Sequence, residues 1–207
     1  MKLILSIIAF LFASYANASV DTSREALIRV FKKEKELELW IKSGNKFTLY
    51  KKYKVCKLSG KFGPKREEGD LQVPEGVYEV NILNPHSNYK KSIGINYPNK
   101  SDSILSQYAH KGGLIFIHGN CVSVGCIAIG DQNIEELYKL VSKCNKTYVH
   151  IFPAKFDESS DYIEKNLVEK PELTEFELDL YQVYLYFNQL KILPKIEISD
   201  EGRYIIE

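Results

Sequence analysis

A thiol and an imidazole brought together can transfer an acyl group, and one short stretch of this 207-residue chain carries both. Residues 118–126 read His-Gly-Asn-Cys-Val-Ser-Val-Gly-Cys, with one of the chain's four histidines and two of its four cysteines. A metal site there would use His118, Cys121 and Cys126, with His110 and His150 as distant candidates. Structural zinc normally shows two close ligand pairs, such as Cys-x2-Cys and His-x3-His, and this single cluster matches neither. No metal and no cofactor are expected. A redox pair needs Cys-x-x-Cys, whereas four residues separate Cys121 from Cys126. A direct bridge between the two stays open. So does an inert reading, in which Cys126 and His118 are packed core residues.

The remaining reading is a nucleophile with its base. A thiol is a poor nucleophile near its ordinary pKa of about 8.5, and a nearby imidazole can take its proton or stabilise the thiolate. This assigns Cys126 as nucleophile and His118 as base. Gly125 lets a tight turn form and leaves backbone N–H groups free, so the N–H groups of Gly125 and Cys126 are the candidate oxyanion hole. The Gly119 carbonyl can orient the imidazole in place of a triad carboxylate. Ser123 lies in the same turn.

Several elements must position these groups. The apolar run 113–119, Gly-Leu-Ile-Phe-Ile-His-Gly, predicts a buried strand ending at His118. Asp131 is expected to cap a helix over 131–144, with Ile134, Leu137 and Val141 on one face. Leu37, Leu39 and Ile41, then Ser43-Gly44-Asn45, then Phe47 and Leu49, predict a hairpin. Strands are expected at 77–83, 91–97 and 147–152, the first two joined by the polar turn 84–90. Residues 57–76 carry Gly60, Gly63, Gly69, Gly76, Pro64 and Pro74, and form a long connection of the kind that lines sites. Lys61, Lys65, Arg66 and Glu68 in it are candidate substrate-binding residues, with Tyr108, His110 and Ser123. Residues 157–192 have helical spacing, and the stripe Phe176, Leu180, Val183, Phe187 and Leu190 reads as core packing. The last residues predict a hairpin around Asp200-Glu201-Gly202.

Lys plus Arg is 28 and Asp plus Glu is 27, giving a net charge of +1. That balance points away from nucleic acid or an anionic membrane surface as main partner. The first 18 residues have Lys2, an apolar run from Leu3 to Phe12, and Ala16-Asn17-Ala18, the pattern of a signal peptide cleaved after Ala18. The mature chain is expected to be periplasmic, with no membrane span. In that compartment disulfides form, and the pairing of Cys56, Cys121 and Cys144 is open.

Beyond the His/Cys pair, several ordered motifs stand together: "YKVCKLSGKFGPKREEGD", "PEGVYEV", "NPHSNY", "YPNKSD", "HGNCVSVGC", "HIFP" and "GRYII". From about Leu27 to the end, the chain resembles the L,D-transpeptidase catalytic (YkuD-like) domain family, in its YafK-like branch. The resemblance implies a mainly β fold with helices (α+β), an L,D-transpeptidase-type β-sandwich with a C-terminal helical extension. The expected division is a signal peptide (1–18), an L,D-transpeptidase-like catalytic domain (19–155) and a helical extension ending in a short hairpin (156–207), packed on the catalytic domain. It implies the roles given above to Cys126, His118, Gly119 and Gly125. Val124 and Ala128 stand where many members carry a histidine and an arginine. The implied partners are peptidoglycan stem peptides, including lipoprotein-linked peptidoglycan. The implied reaction is a thioester at the L-centre of meso-diaminopimelate, then hydrolysis of the diaminopimelate–lysine link to outer-membrane lipoprotein. The alternatives are a transferase that cross-links peptidoglycan or attaches lipoprotein, and a non-catalytic peptidoglycan-binding module.

Overall fold

The computed structural model describes residues 24–156 and 171–207. The expected leader, its cleavage point after Ala18, and the first part of the expected C-terminal helical segment lie outside the described residues. Ten strands are described: β1 (Glu25–Phe31), β2 (Glu36–Ser43), β3 (Lys46–Lys54), β4 (Gly76–Asn84), β5 (Ser92–Ile95), β6 (Phe116–His118), β7 (Ile127–Ala128), β8 (Lys146–Phe152), β9 (Ile196–Ile198) and β10 (Tyr204–Ile206). Three helices accompany them: α1 (Lys100–Leu105), α2 (Asp131–Val141) and α3 (Pro171–Leu190).

Eight strands form one sheet in the order β3-β2-β1-β8-β4-β5-β6-β7. The expected sandwich takes the form of this sheet curled on itself. Strand β4 belongs to both halves, pairing with β8 through Gly76–Glu79 and with β5 through Val80–Asn84, with a register shift between Val80 and Ile82. Such a shift bends a strand. Residues of both halves then share one core: Ile28, Leu39 and Val149 from one, Ile93, Ile117 and Ile127 from the other, closed by Ile134, Leu137 and Val141 of α2. Strand β1 was not legible in the alternation. It runs parallel to β8 and is buried on both faces, so after Glu25 its sequence is apolar apart from Arg29.

The other face of β1, β2 and β8 lies under α3. Phe176, Leu180, Val183 and Phe187 are buried there, as the core stripe requires. Leu190, the last of the stripe, is exposed, because the helix stops and Lys191 turns with φ 57°. Beneath the helix Arg29 is buried, with its guanidinium carbon 4.7–5.5 Å from the ring centres of Phe31, Phe152, Tyr184 and Phe187. Arg29 Nη1 donates to Asn188 Oδ1 at 2.8 Å, and Glu38 lies 3.6 Å away.

Three local expectations change. The predicted strand 113–119 contracts to Phe116–His118, because Leu114 takes φ 53° and points outward, 72% exposed. The N-cap of α2 is Gly130, not Asp131. Asp131 turns its carboxylate to the Asn120 N–H at 2.7 Å instead. Helix α1, absent from the sequence reading, starts at a reciprocal cap between Asn99 and Asp102.

The cysteine pairing is also decided. Cys56 and Cys121 form a disulfide, while Cys126 and Cys144 are free thiols. The bridge ties the segment after β3 to the loop after β6, across 65 residues of sequence. A closed loop of that length restricts the unfolded chain. The double substitution Cys56→Ser, Cys121→Ser is expected to lower unfolding free energy by roughly 2–4 kcal/mol, read from urea denaturation, with a steeper slope because the unlinked unfolded chain exposes more surface.

Candidate active site

The parallel pair β6–β7 sets Ile117 against Ile127 and His118 against Ala128. Cys126, just before β7, is thereby brought beside the end of β6. His118 and Cys126 line one groove of about 260 Å³, walled by the 84–89 turn, including Asn84, His86, Asn88 and Tyr89, and by Phe116. A larger cleft of about 490 Å³ lies between β4, β8 and the C-terminal hairpin. No cysteine lines it, so the candidate thiol chemistry points to the smaller groove.

The imidazole is fixed by its own neighbour. His118 Nδ1 lies 2.6 Å from the Gly119 carbonyl oxygen. A carbonyl only accepts, so Nδ1 carries the proton and Nε2 keeps the lone pair. Tyr89 packs on the same ring at 4.6 Å between centres. Gly119 itself has no room for a side chain: a Cβ would stand 2.5 Å from the Tyr89 carbonyl oxygen and 2.6 Å from Asp131 Oδ1. Its N–H donates to Tyr89 O at 3.0 Å.

The Cys126 thiol points toward the Leu114 carbonyl oxygen, 3.9 Å away. Burial pushes its pKa up, opposed in part by the Phe116 backbone N–H and the charge of Lys65. Burial pulls the His118 imidazole below its ordinary value, opposed in part by the bond to Gly119. At neutral pH both shifts favour a neutral thiol beside a neutral imidazole over an ion pair, the arrangement in which His118 acts as a general base.

The turn that carries Cys126 is not free-standing. Gly125 has φ 85°. Its N–H, read from sequence as free for an oxyanion, donates to Ser59 Oγ at 2.5 Å. The reason is that the 56–60 segment pairs with β7, through Cys56 N–H to Ala128 O at 2.9 Å and Ala128 N–H to Lys57 O at 3.1 Å, and so carries Ser59 to the turn. Among the described residues the Cys126 N–H makes no hydrogen bond and is the open donor. Ser123, expected to touch substrate, donates to the Cys126 carbonyl at 2.6 Å.

The other expected substrate-binding residues do not line the groove. Lys65 is buried and pairs with Asp70 at 2.6 Å; Arg66 pairs with Asp102 at 3.2 Å and lies over Phe176. Both charges are spent inside the protein, because the long connection needs internal partners for its folded path. Lys61 is exposed, and its backbone N–H bonds to Gln72 Oε1. Glu68 and His110 line a separate cleft of about 380 Å³ that ends at Gly113, next to Leu114. Tyr108 is exposed. The residues missed from sequence are Tyr89, Asn84, His86 and Asn88; the polar turn that holds them was visible, its proximity to His118 was not. Among the described residues no three His, Cys, Asp or Glu side chains gather as a metal site requires. None of the described helices is long and apolar enough to cross a membrane.

Comparison with known proteins places this geometry among relatives. The L,D-transpeptidase catalytic domain (YkuD) matches residues 19–151. The chain is 34% identical over 186 residues to "Putative L,D-transpeptidase YafK" of Escherichia coli K12, covering 86% of this chain and 72% of that protein. The protein of the same name from Escherichia coli O157:H7 matches to the same extent. The crystal structure of the helical cell shape determining protein of Campylobacter jejuni is 22% identical, over 86% of this chain and 74% of that one, with a TM-score of 0.56. That likeness is one of fold.

Two measurements check the geometry. In a Cys144→Ala background, alkylation of Cys126 by iodoacetamide is expected to rise with pH through a midpoint above the ordinary thiol value of about 8.5. A midpoint below 7 would show a preformed ion pair instead. Gly119→Ala is expected to displace the imidazole and to lower acyl transfer on the order of 100-fold, measured as kcat/KM per folded molecule.

Proposed function

Because the chain belongs to the L,D-transpeptidase catalytic domain family, we propose that it acts on peptidoglycan stem peptides, with Cys126 as nucleophile and His118 as base. The single observation that carries this reading is the 2.6 Å contact of His118 Nδ1 with the Gly119 carbonyl, which leaves Nε2 as the proton acceptor in the groove that Cys126 shares.

In the first step Nε2 takes the thiol proton as sulfur bonds to the carbonyl carbon at the L-centre of meso-diaminopimelate. The oxygen gains negative charge, which the Cys126 N–H stabilises. Collapse breaks the carbon–nitrogen bond, and His118 returns its proton to the departing amine, leaving a thioester. In the second step the base takes a proton from water, and the thioester yields a carboxylate and the thiol. An amine acceptor in place of water gives a new amide. The motif resemblance to the YafK-like branch favours water, with the diaminopimelate–lysine amide to outer-membrane lipoprotein as the bond cut. The polar wall of Asn84, His86 and Asn88 suits a substrate bearing a carboxylate and an ammonium group.

The same reading includes export: residues 1–18 as a leader, a periplasmic mature chain, a catalytic unit over 19–155 and an extension over 156–207. Mass spectrometry of muropeptides, with and without the lipoprotein remnant, tests the reaction. Wild type is expected to remove the remnant, and Cys126→Ala to remove none. His118→Ala is expected to be slower by roughly 100- to 10,000-fold. New diaminopimelate–diaminopimelate dimers would establish a transferase. Identical products from wild type and Cys126→Ala would overturn the assignment of the nucleophile.

A further inference from the structure

We propose that Ser59 is a positioning residue for acyl transfer: its hydroxyl clamps the Gly125 peptide, so that the Cys126 N–H and thiol meet the substrate carbonyl in one orientation. The inference rests on the reading of Cys126 as nucleophile.

Three kinds of attachment bind the 56–60 segment to the nucleophile loop. Cys56 is covalently joined to Cys121. Cys56 and Lys57 form backbone hydrogen bonds with Ala128, two residues after the nucleophile. Ser59 Oγ then accepts from the Gly125 N–H at 2.5 Å. The protons can be counted. Ser59 has one hydroxyl proton, and it goes to the Leu71 carbonyl at 2.8 Å. Ser123 has one, and it goes to the Cys126 carbonyl at 2.6 Å. The two hydroxyl oxygens, 3.3 Å apart, therefore touch without a proton between them.

The turn is thus gripped on both sides of the reacting residue. Ser59 holds the peptide entering Gly125, and Ser123 holds the carbonyl leaving Cys126. The Gly125–Cys126 peptide between them carries the one open donor. Gly125, at φ 85°, lacks the side chain that would stiffen this peptide by itself. Two successive N–H groups flanking such a residue form an anion-binding concavity. Here the first N–H is consumed as a strut, so the stabilisation of the oxyanion falls on the second and on how well it is aimed. The residue that fills the Gly125 donor, Ser59, does not line the groove.

A clamp on the oxyanion donor makes a distinctive prediction. Alkylation by iodoacetamide displaces iodide at a saturated carbon and forms no oxyanion. Attack on an ester or amide does. Ser59→Ala is therefore expected to lower the pre-steady-state burst of p-nitrophenol from a p-nitrophenyl ester, and kcat on lipoprotein-linked muropeptides, roughly 10- to 100-fold. KM, and the rate and pH midpoint of iodoacetamide alkylation in a Cys144→Ala background, stay within about threefold. Ser59→Thr, which keeps the hydroxyl, is expected to recover most of the burst. Equal loss of alkylation and acylation would mean that Ser59 merely supports the fold and would overturn the proposal, as would an unchanged burst. Should Ser59→Ala not fold, Ser123→Ala releases the other side of the grip and must show the same split. A wild type that reacts with the ester but leaves every muropeptide intact refutes the substrate assignment, while the ester burst still judges Ser59.

Discussion

The backbone at Gly119 passes through a gap that admits no side chain. Tyr89 O, Asp131 Oδ1 and Ile134 Cγ2 all stand within 3.0 Å of where a Cβ would be. This close passage determines much of what surrounds it. It lets the Gly119 N–H reach Tyr89, which brings the 84–90 turn against the end of β6 and packs the Tyr89 ring on the imidazole. It lets the Gly119 carbonyl double back to His118 Nδ1, which selects the tautomer. It draws Asp131 away from helix capping toward Asn120, so that α2 begins directly behind the loop. An imidazole held this way needs no carboxylate partner, because a backbone carbonyl supplies both direction and a proton acceptor without adding charge. Burial outweighs the bond to Gly119 and holds the imidazole pKa below its ordinary value.

The nucleophile is held by different means. Strand β7 contributes only two residues to the sheet, too few to fix a turn by backbone pairing alone. The segment after β3 makes up the deficit with a disulfide, a short antiparallel pairing and a serine hydroxyl. It comes from the opposite end of the eight-strand order, which is possible only because the sheet curls until its ends approach. His118 and Cys126, the proposed base and nucleophile, are thus supported by separate structures that meet in the groove.

Charged residues inside the fold serve its connections. Lys32 donates to Gly63 O, Val73 O and Glu75 Oε1 at 3.0, 3.0 and 2.8 Å, pinning both ends of the 63–75 loop to the end of β1. Lys65 and Arg66 do the same with Asp70 and Asp102. Removing one member of such a buried pair strands the other charge, so these residues are bound to architecture before they can serve a ligand. Arg29 joins the sheet to α3 through its aromatic surroundings, and there too the charge faces inward.

The sequence alone supplied the candidate chemical groups. A histidine followed by glycine, and a glycine followed by cysteine, carry the needed groups in their local order, and the ordered motifs around them carried the family. The strands with alternating residues, the β9–β10 hairpin and the buried stripe of α3 were legible because each is a local pattern of period 2 or 3.6. Strand β1 escaped because a strand buried on both faces has no alternation. Which charges are free, which cysteines pair, and what occupies the Gly125 N–H were decided only by the tertiary structure. Cys56 and Cys121 are 65 residues apart, Ser59 and Gly125 are 66 apart, and neither spacing contains the curl of the sheet. A lysine in a glycine-rich loop reads the same whether it faces solvent or an aspartate, because sequence records the group and folding supplies its partner.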